Sequence, residues 1–159
     1  MFSNDEMPGI SKPANLYEKG ETAMFSTNKI NIVRDDGTEV EATAPVILSA
    51  SVATDIPAYH SDWFFKRIDA GYARRMNVFS HKDVFVSFRG ARLVIFWTKN
   101  PAPITSKLHQ LDDRQLGYFF HFMLNDYERE GLEPGLPPLE KRIATFQELS
   151  RVIGKGKTI

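Results

Sequence analysis

The chain reads as an α/β protein, a partial (β/α) barrel made of three βα units of a TIM-like barrel and preceded by a β-hairpin. Three observations predict it. Short apolar runs at Val46-Ile47-Leu48, Leu93 to Trp97 and Tyr118 to Leu124 each close on a knot of polar residues. Each knot is followed by a stretch with the spacing of an amphipathic helix, so the order is strand, polar turn, helix, three times over. That alternation calls for a parallel sheet, because antiparallel neighbours need no crossover. A length of 159 residues falls short of the roughly 250 of a full (β/α)8 barrel, so the chain alone is expected to form only part of one.

Taken in order, residues 1–27 mix Pro, Gly, Ser, Asn and charges without a period and read as a loosely ordered leader to a domain spanning 28–159. Lys29 to Val33 and Thr38 to Ala42 alternate in polarity around Asp35-Asp36-Gly37, a hairpin pattern in which Gly supplies the positive φ of the turn. The first main strand follows at 45–51. Ser61 is then placed to cap a helix over 61–73, with Phe64, Ile68 and Tyr72 on one face. Val84 to Phe88 reads as an extra, antiparallel strand, turned by Arg89-Gly90 into the second main strand at 92–98. Pro103 suits the first turn of a helix over 103–112 that buries Ile104, Leu108 and Leu111. The third main strand covers 117–124. A Gly- and Pro-rich loop, 128–138, is long enough to act as a partial lid. Pro138 opens the last helix, 138–153, which buries Leu139, Ile143, Phe146, Leu149 and Ile153 and stops at Gly154. The remaining residues read as the entry to a fourth strand, which predicts an open sheet edge.

Composition narrows the chemistry. With 42% hydrophobic and 25% charged residues the chain has the make-up of a globular domain, and no apolar run reaches the length of a membrane span. Twenty basic and twenty acidic residues cancel, so no overall field favours nucleic acid or an anionic membrane. A cytoplasmic location is the default expectation. Cysteine is absent, which removes thiolate nucleophiles, disulfides and cysteine-ligated metal from this chain. The four histidines, His60, His81, His109 and His121, form no His-x-x-x-His pair, and no metal site is expected.

In parallel sheets of this kind, chemistry gathers at the carboxyl ends of the strands, where the polar knots fall. Strand alternation then selects among their residues. Phe120, Phe122 and Leu124 suit packing against helices, whereas His121, Met123 and Asn125 share the other face; Ser49 and Ser51 in the first strand, and Trp97 and Lys99 in the second, fall on that other face too. The predicted catalytic residues are Lys99, Asp55 and His121. Ser49, Ser51, Thr54, Trp97, Asn100, Asn125 and Asp126 are the predicted substrate- or cofactor-binding residues. Asp55 is placed on the rim with Lys99 and Asn125, although a turn aspartate also serves by bonding backbone N–H groups alone.

Ser49 to Tyr59, Asp62-Trp63-Phe64, Val94 to Pro101, Leu124 to Glu128 and Pro137-Pro138-Leu139, in this order, resemble the uncharacterised bacterial proteins grouped as domain-of-unknown-function family 1848. The resemblance runs from about residue 44 to the last residue. It implies a protein about twice this length, a radical S-adenosylmethionine-like barrel whose carboxyl-terminal part carries an iron–sulfur cysteine cluster. On that reading this chain corresponds to the amino-terminal half and holds no cofactor itself, while full-length relatives use an iron–sulfur cluster and S-adenosylmethionine. Val52 and Ala53 stand where family members usually carry at least one arginine. Two functions follow as expectations: the wall of such an enzyme, inactive alone and completed by a carboxyl-terminal half, or a non-catalytic module that pairs through its open sheet edge, including with itself.

Overall fold

The structure is a computed structural model that describes residues 28–51, 54–77, 79–125, 135–154 and 156–159. The expected leader, the departures at Val52 and Ala53, Asp126 and most of the predicted lid loop lie outside the described residues.

The hairpin forms as its alternation requires: β1 (Asn28–Val33) and β2 (Glu39–Ala44) pair antiparallel, from Asn28 opposite Ala44 to Val33 opposite Glu39. The first main strand is β3 (Ile47–Ala50), followed by the short α1 (Ile56–Tyr59) and then α2 (Ser61–Ala70). Ser61 is the first helical residue rather than the cap, and His60 in the cap position makes no side-chain capping bond. Gly71 ends α2 at φ 80°, a left-handed conformation that costs glycine nothing. Tyr72 therefore belongs not to the helix, as its four-residue spacing predicted, but to β4 (Tyr72–Met76). It is buried with Ile32 and Ala42 in a small separate core.

β4 pairs antiparallel with β5 (Asp83–Ser87), and β5 pairs parallel with β2. The extra strand is thus present and antiparallel to a neighbour, but it is carried into a second sheet of order β1-β2-β5-β4 instead of folding back on the second main strand.

The main sheet has the order β3-β6-β7, with β6 (Leu93–Thr98) and β7 (Gly117–Phe122) both parallel to their neighbours. Between β6 and β7 the predicted single helix is two separate turns, α3 (Ala102–Thr105) and α4 (His109–Asp112). The last helix, α5 (Leu139–Ile153), matches its periodicity. Beyond it Thr158 bridges Phe120 in parallel, through the Phe120 N–H on the Lys157 carbonyl at 2.8 Å and the Ile159 N–H on the Phe120 carbonyl at 3.0 Å. Segment 157–159 therefore lies as a fourth parallel strip in chain order beside β7. The described residues form a mixed α/β fold with two sheets and no closed barrel.

One face of the main sheet is covered by helices. Leu48, Ala50, Val94, Phe96, Tyr118 and Phe120 form a single core with Phe64, Phe65 and Ile68 of α2, Ile104 of α3, Leu111 of α4 and Leu149 of α5. Phe96 and Phe120, neighbours across β6 and β7, stack with centroids 5.0 Å apart. Leu124, grouped by alternation with the helix-packed residues, lies past the end of β7 and is 48% exposed. No helix among the described residues is long and apolar enough to cross a membrane.

Tyr118 in this core gives the fold a pH limit. Tyr118 is a buried residue whose hydroxyl donates to Asp112 Oδ2 at 3.4 Å. Burial first, then the negative charge of Asp112, raises its pKa above the usual 10.0. A proton held more tightly folded than unfolded adds stability below pH 10, and that stability is lost as pH rises through the raised pKa. Melting temperature is expected to fall in alkali above about pH 10, and Tyr118→Phe to flatten that limb. Identical alkaline limbs in both proteins would refute the assignment.

Candidate functional site

One carboxylate joins the start of α1, which follows β3, to the carboxyl end of β6. Asp55 precedes α1 and caps it, its Oδ1 accepting the Ala58 N–H at 3.0 Å. The same oxygen accepts the Thr98 hydroxyl at 2.7 Å, and Oδ2 accepts the Lys99 N–H at 2.7 Å. Thr98 is fully buried; its Oγ1 in turn accepts the Asn100 N–H at 3.1 Å, and its carbonyl accepts the Met123 N–H at 2.8 Å. The carboxylate thus accepts two backbone N–H groups and one hydroxyl, charge-assisted bonds that fix the geometry around it. These bonds make Asp55 a clamp between the start of α1 and the end of β6. Lys99 and Asn100 are fixed through their main chains at the rim by this network. Thr98, which alternation assigned to the helix side, is the residue that sequence reasoning missed: a buried threonine beside a rim aspartate looks like any strand residue until the two meet.

Ser51, just past β3, has φ 112°, a conformation that costs a non-glycine residue on the order of 1–3 kcal/mol. Its hydroxyl accepts the Ile56 N–H at 3.4 Å. Thr54 is exposed beside Asp55.

The sheet face away from the helices carries Ile47, Ser49, Ile95, Trp97, Phe119 and His121. Ladder register sets Ser49, Ile95 and Phe119 in one row and Trp97 and His121 in the next toward the carboxyl end. Ser49 is exposed and Trp97 is 38% exposed, unlike their neighbours Leu48 and Phe96 on the opposite face. The Trp97 and His121 rings lie 4.1 Å apart at 33°. Lys99, two residues beyond Trp97, follows the carboxyl end of β6.

Asn125 occupies a different setting. Its carbonyl accepts a hydrogen bond from Arg142 Nη2, and the Arg142 Nε–H donates to the Pro137 carbonyl at 3.0 Å. Its own Oδ1 is buried with no hydrogen-bond partner among the described residues. Arg142, on α5, is completely buried. It stands four residues before Phe146 and seven before Leu149, on the stripe predicted to be buried, and only its charge hid it. No group of three or more His, Asp or Glu residues suited to a metal ion occurs among the described residues.

Parallel βα units in chain order, helices gathered on one face and polar residues clamped at the carboxyl ends define an α/β protein of the sequential βα class. Within that class the chain belongs to the family described as Domain of unknown function (DUF1848), whose family model matches residues 47–159. The match begins at the first residue of β3 and leaves the β1–β2 hairpin outside it. No curated protein matches the chain, and no solved structure does.

Proposed function

We propose that the main sheet is part of a (β/α) barrel wall, and that its face bearing Trp97 and His121 lines a ligand site with Lys99 at the rim. The observation that carries this is the aromatic pair on the open sheet face, standing two residues below a lysine whose backbone Asp55 fixes. Barrel interiors take the face that helices leave uncovered, and barrel ligands bind at strand carboxyl ends. The strained Ser51 follows the carboxyl end of β3. Taken with the resemblance to radical S-adenosylmethionine-like proteins, the chain acts as an amino-terminal half in the cytoplasm, supplying the wall while a carboxyl-terminal half supplies the cysteine cluster.

The test joins residues 1–159 to the cysteine-bearing half of a family member and reconstitutes the product anaerobically with iron and sulfide. The fused protein is expected to load a cluster and bind S-adenosylmethionine by calorimetry, with Lys99→Ala or Trp97→Ala weakening that binding about tenfold, or about 1.4 kcal/mol. A loaded cluster with binding untouched by either substitution would remove the wall assignment. A fused, folded protein that loads no cluster would remove the radical-type reading. The second reading, an interaction module, is favoured by one observation of its own: segment 157–159 pairs with β7 on one side only among the described residues.

A further inference from the structure

From the exposure and charge of the β4–β5 hairpin, we infer that its tip docks on an anionic phospholipid bilayer, with Phe79 inserted and Arg74, Arg75 and Lys82 against the phosphates. The hairpin belongs to the second sheet and stands apart from the barrel-wall reading above. Every described residue from 74 to 83 is exposed except Asn77, which is half-buried. Phe79 is 95% exposed and Met76 61%, so two large apolar side chains stand at and beside the apex. Single apolar residues scattered over a surface are ordinary, whereas two at the end of one exposed hairpin mark a contact surface. The turn also holds its shape before any contact. Asn77 Oδ1 accepts the Phe79 N–H at 2.9 Å and the Ser80 N–H at 3.1 Å, and the Asn77 carbonyl accepts the His81 N–H at 2.9 Å. The Asn77 N–H donates to the Lys82 carbonyl at 2.9 Å and closes the loop on its strands. A backbone fixed in this way loses little freedom when Phe79 is buried.

The chain as a whole has a net charge of zero, so attraction to an anionic surface has to be local. Residues 74–83 carry Arg74, Arg75 and Lys82 against Asp83 alone. Met76 lies opposite Asp83 in the ladder, so alternation sets Arg74 on their face and Arg75 and Lys82 on the other. Positive charge thus stands behind the apex on both faces. Arg74 is paired with Asp83 at 3.4 Å, while neither Arg75 nor Lys82 makes an ion pair among the described residues. Apolar side chains lead and cations follow on the strands behind them, which is the layering of a bilayer surface, acyl chains beneath phosphates. A nucleic acid suits the tip less well, since three cations make few phosphate contacts and one phenylalanine stacks on one base.

Cysteine is absent, so Ser80→Cys gives a single site beside Phe79 for an environment-sensitive fluorophore. With vesicles of phosphatidylglycerol and phosphatidylcholine in equal parts, the label is expected to brighten, shift to the blue and be quenched by lipid spin-labelled high on its acyl chain. The unlabelled chain should cosediment with these vesicles, and should be released by about 0.5 M salt or by vesicles of phosphatidylcholine alone. Phe79→Ala is expected to weaken vesicle binding about tenfold and Arg75→Gln about fivefold. Both side chains are exposed, so the melting temperature should not change. Failure to bind, binding indifferent to Phe79→Ala, or binding with the label left in water would each overturn the inference. A single-stranded oligonucleotide bound in place of vesicles, and released by Phe79→Ala, would reassign the tip to nucleic acid. Self-association without lipid, lost in Phe79→Ala, would reassign it to a second copy of the chain, and either result removes membrane docking.

Discussion

Asp55→Ala is expected to lower stability by about 3 kcal/mol and the melting temperature by roughly 6–12 °C. Three losses combine. The α1 cap alone is worth about 1 kcal/mol. The Thr98 hydroxyl and the Lys99 N–H each lose a charged acceptor, and Thr98 is fully buried. Because the three bonds share one carboxylate their effects are not additive, so the total is set below their sum. Asp55→Asn separates the parts: one amide oxygen can keep Ala58 and Thr98, but the amide nitrogen then faces the Lys99 N–H, donor against donor. It should fall between wild type and alanine in urea melts. A Thr98→Val and Asp55→Ala double-mutant cycle is expected to show coupling of about 1 kcal/mol or more. An aspartate serving catalysis alone would leave stability within about 0.5 kcal/mol of wild type, and that result would refute the clamp.

Arg142→Ala is expected to cost about 3–5 kcal/mol, since it strips the charged donor from the carbonyls of both Asn125 and Pro137 and leaves a cavity where a fully buried side chain stood. Those two carbonyls come from the end of β7 and the start of α5, so the arginine fastens the two sides of the β7–α5 connection. Arg142→Lys retains charge but not the planar fork, and one ammonium is poorly placed to serve both carbonyls; it should lose most of the same stability. Arg142→Met, apolar and of similar length, leaves both carbonyls bare and should not rescue. Chemical denaturation of the three variants decides the point, and a methionine variant as stable as wild type would show that the hydrogen bonds contribute nothing net.

The sequence by itself determined the elements whose signal is local. The hairpin around Asp36-Gly37, the three parallel strands and α5 are set by alternation, by helical spacing and by the glycines that end them, and each is present. Alternation also sorted Leu48, Phe96 and Phe120 to the helix side and Ser49, Trp97 and His121 to the other, because one residue's step along a strand always reverses its face. Membership in the family rests likewise on motifs that lie along the chain.

Tertiary structure alone decided the rest, and in each case the reason is a partner distant in sequence. Tyr72 fits the helical stripe of Phe64 and Ile68, yet Gly71 turns left-handed and β5 and the hairpin core claim the tyrosine for a strand. The second sheet exists because β5 finds β2 some forty residues back, a pairing no local pattern encodes. Asp55 stands 43 residues from Thr98, and the bond between them forms only when α1 packs on the end of β6. Arg142 sits in a core where the carbonyls of Asn125 and Pro137 converge on it. Periodicity reports which way a side chain faces; what waits there to satisfy a charge or a hydroxyl is settled only when the elements pack.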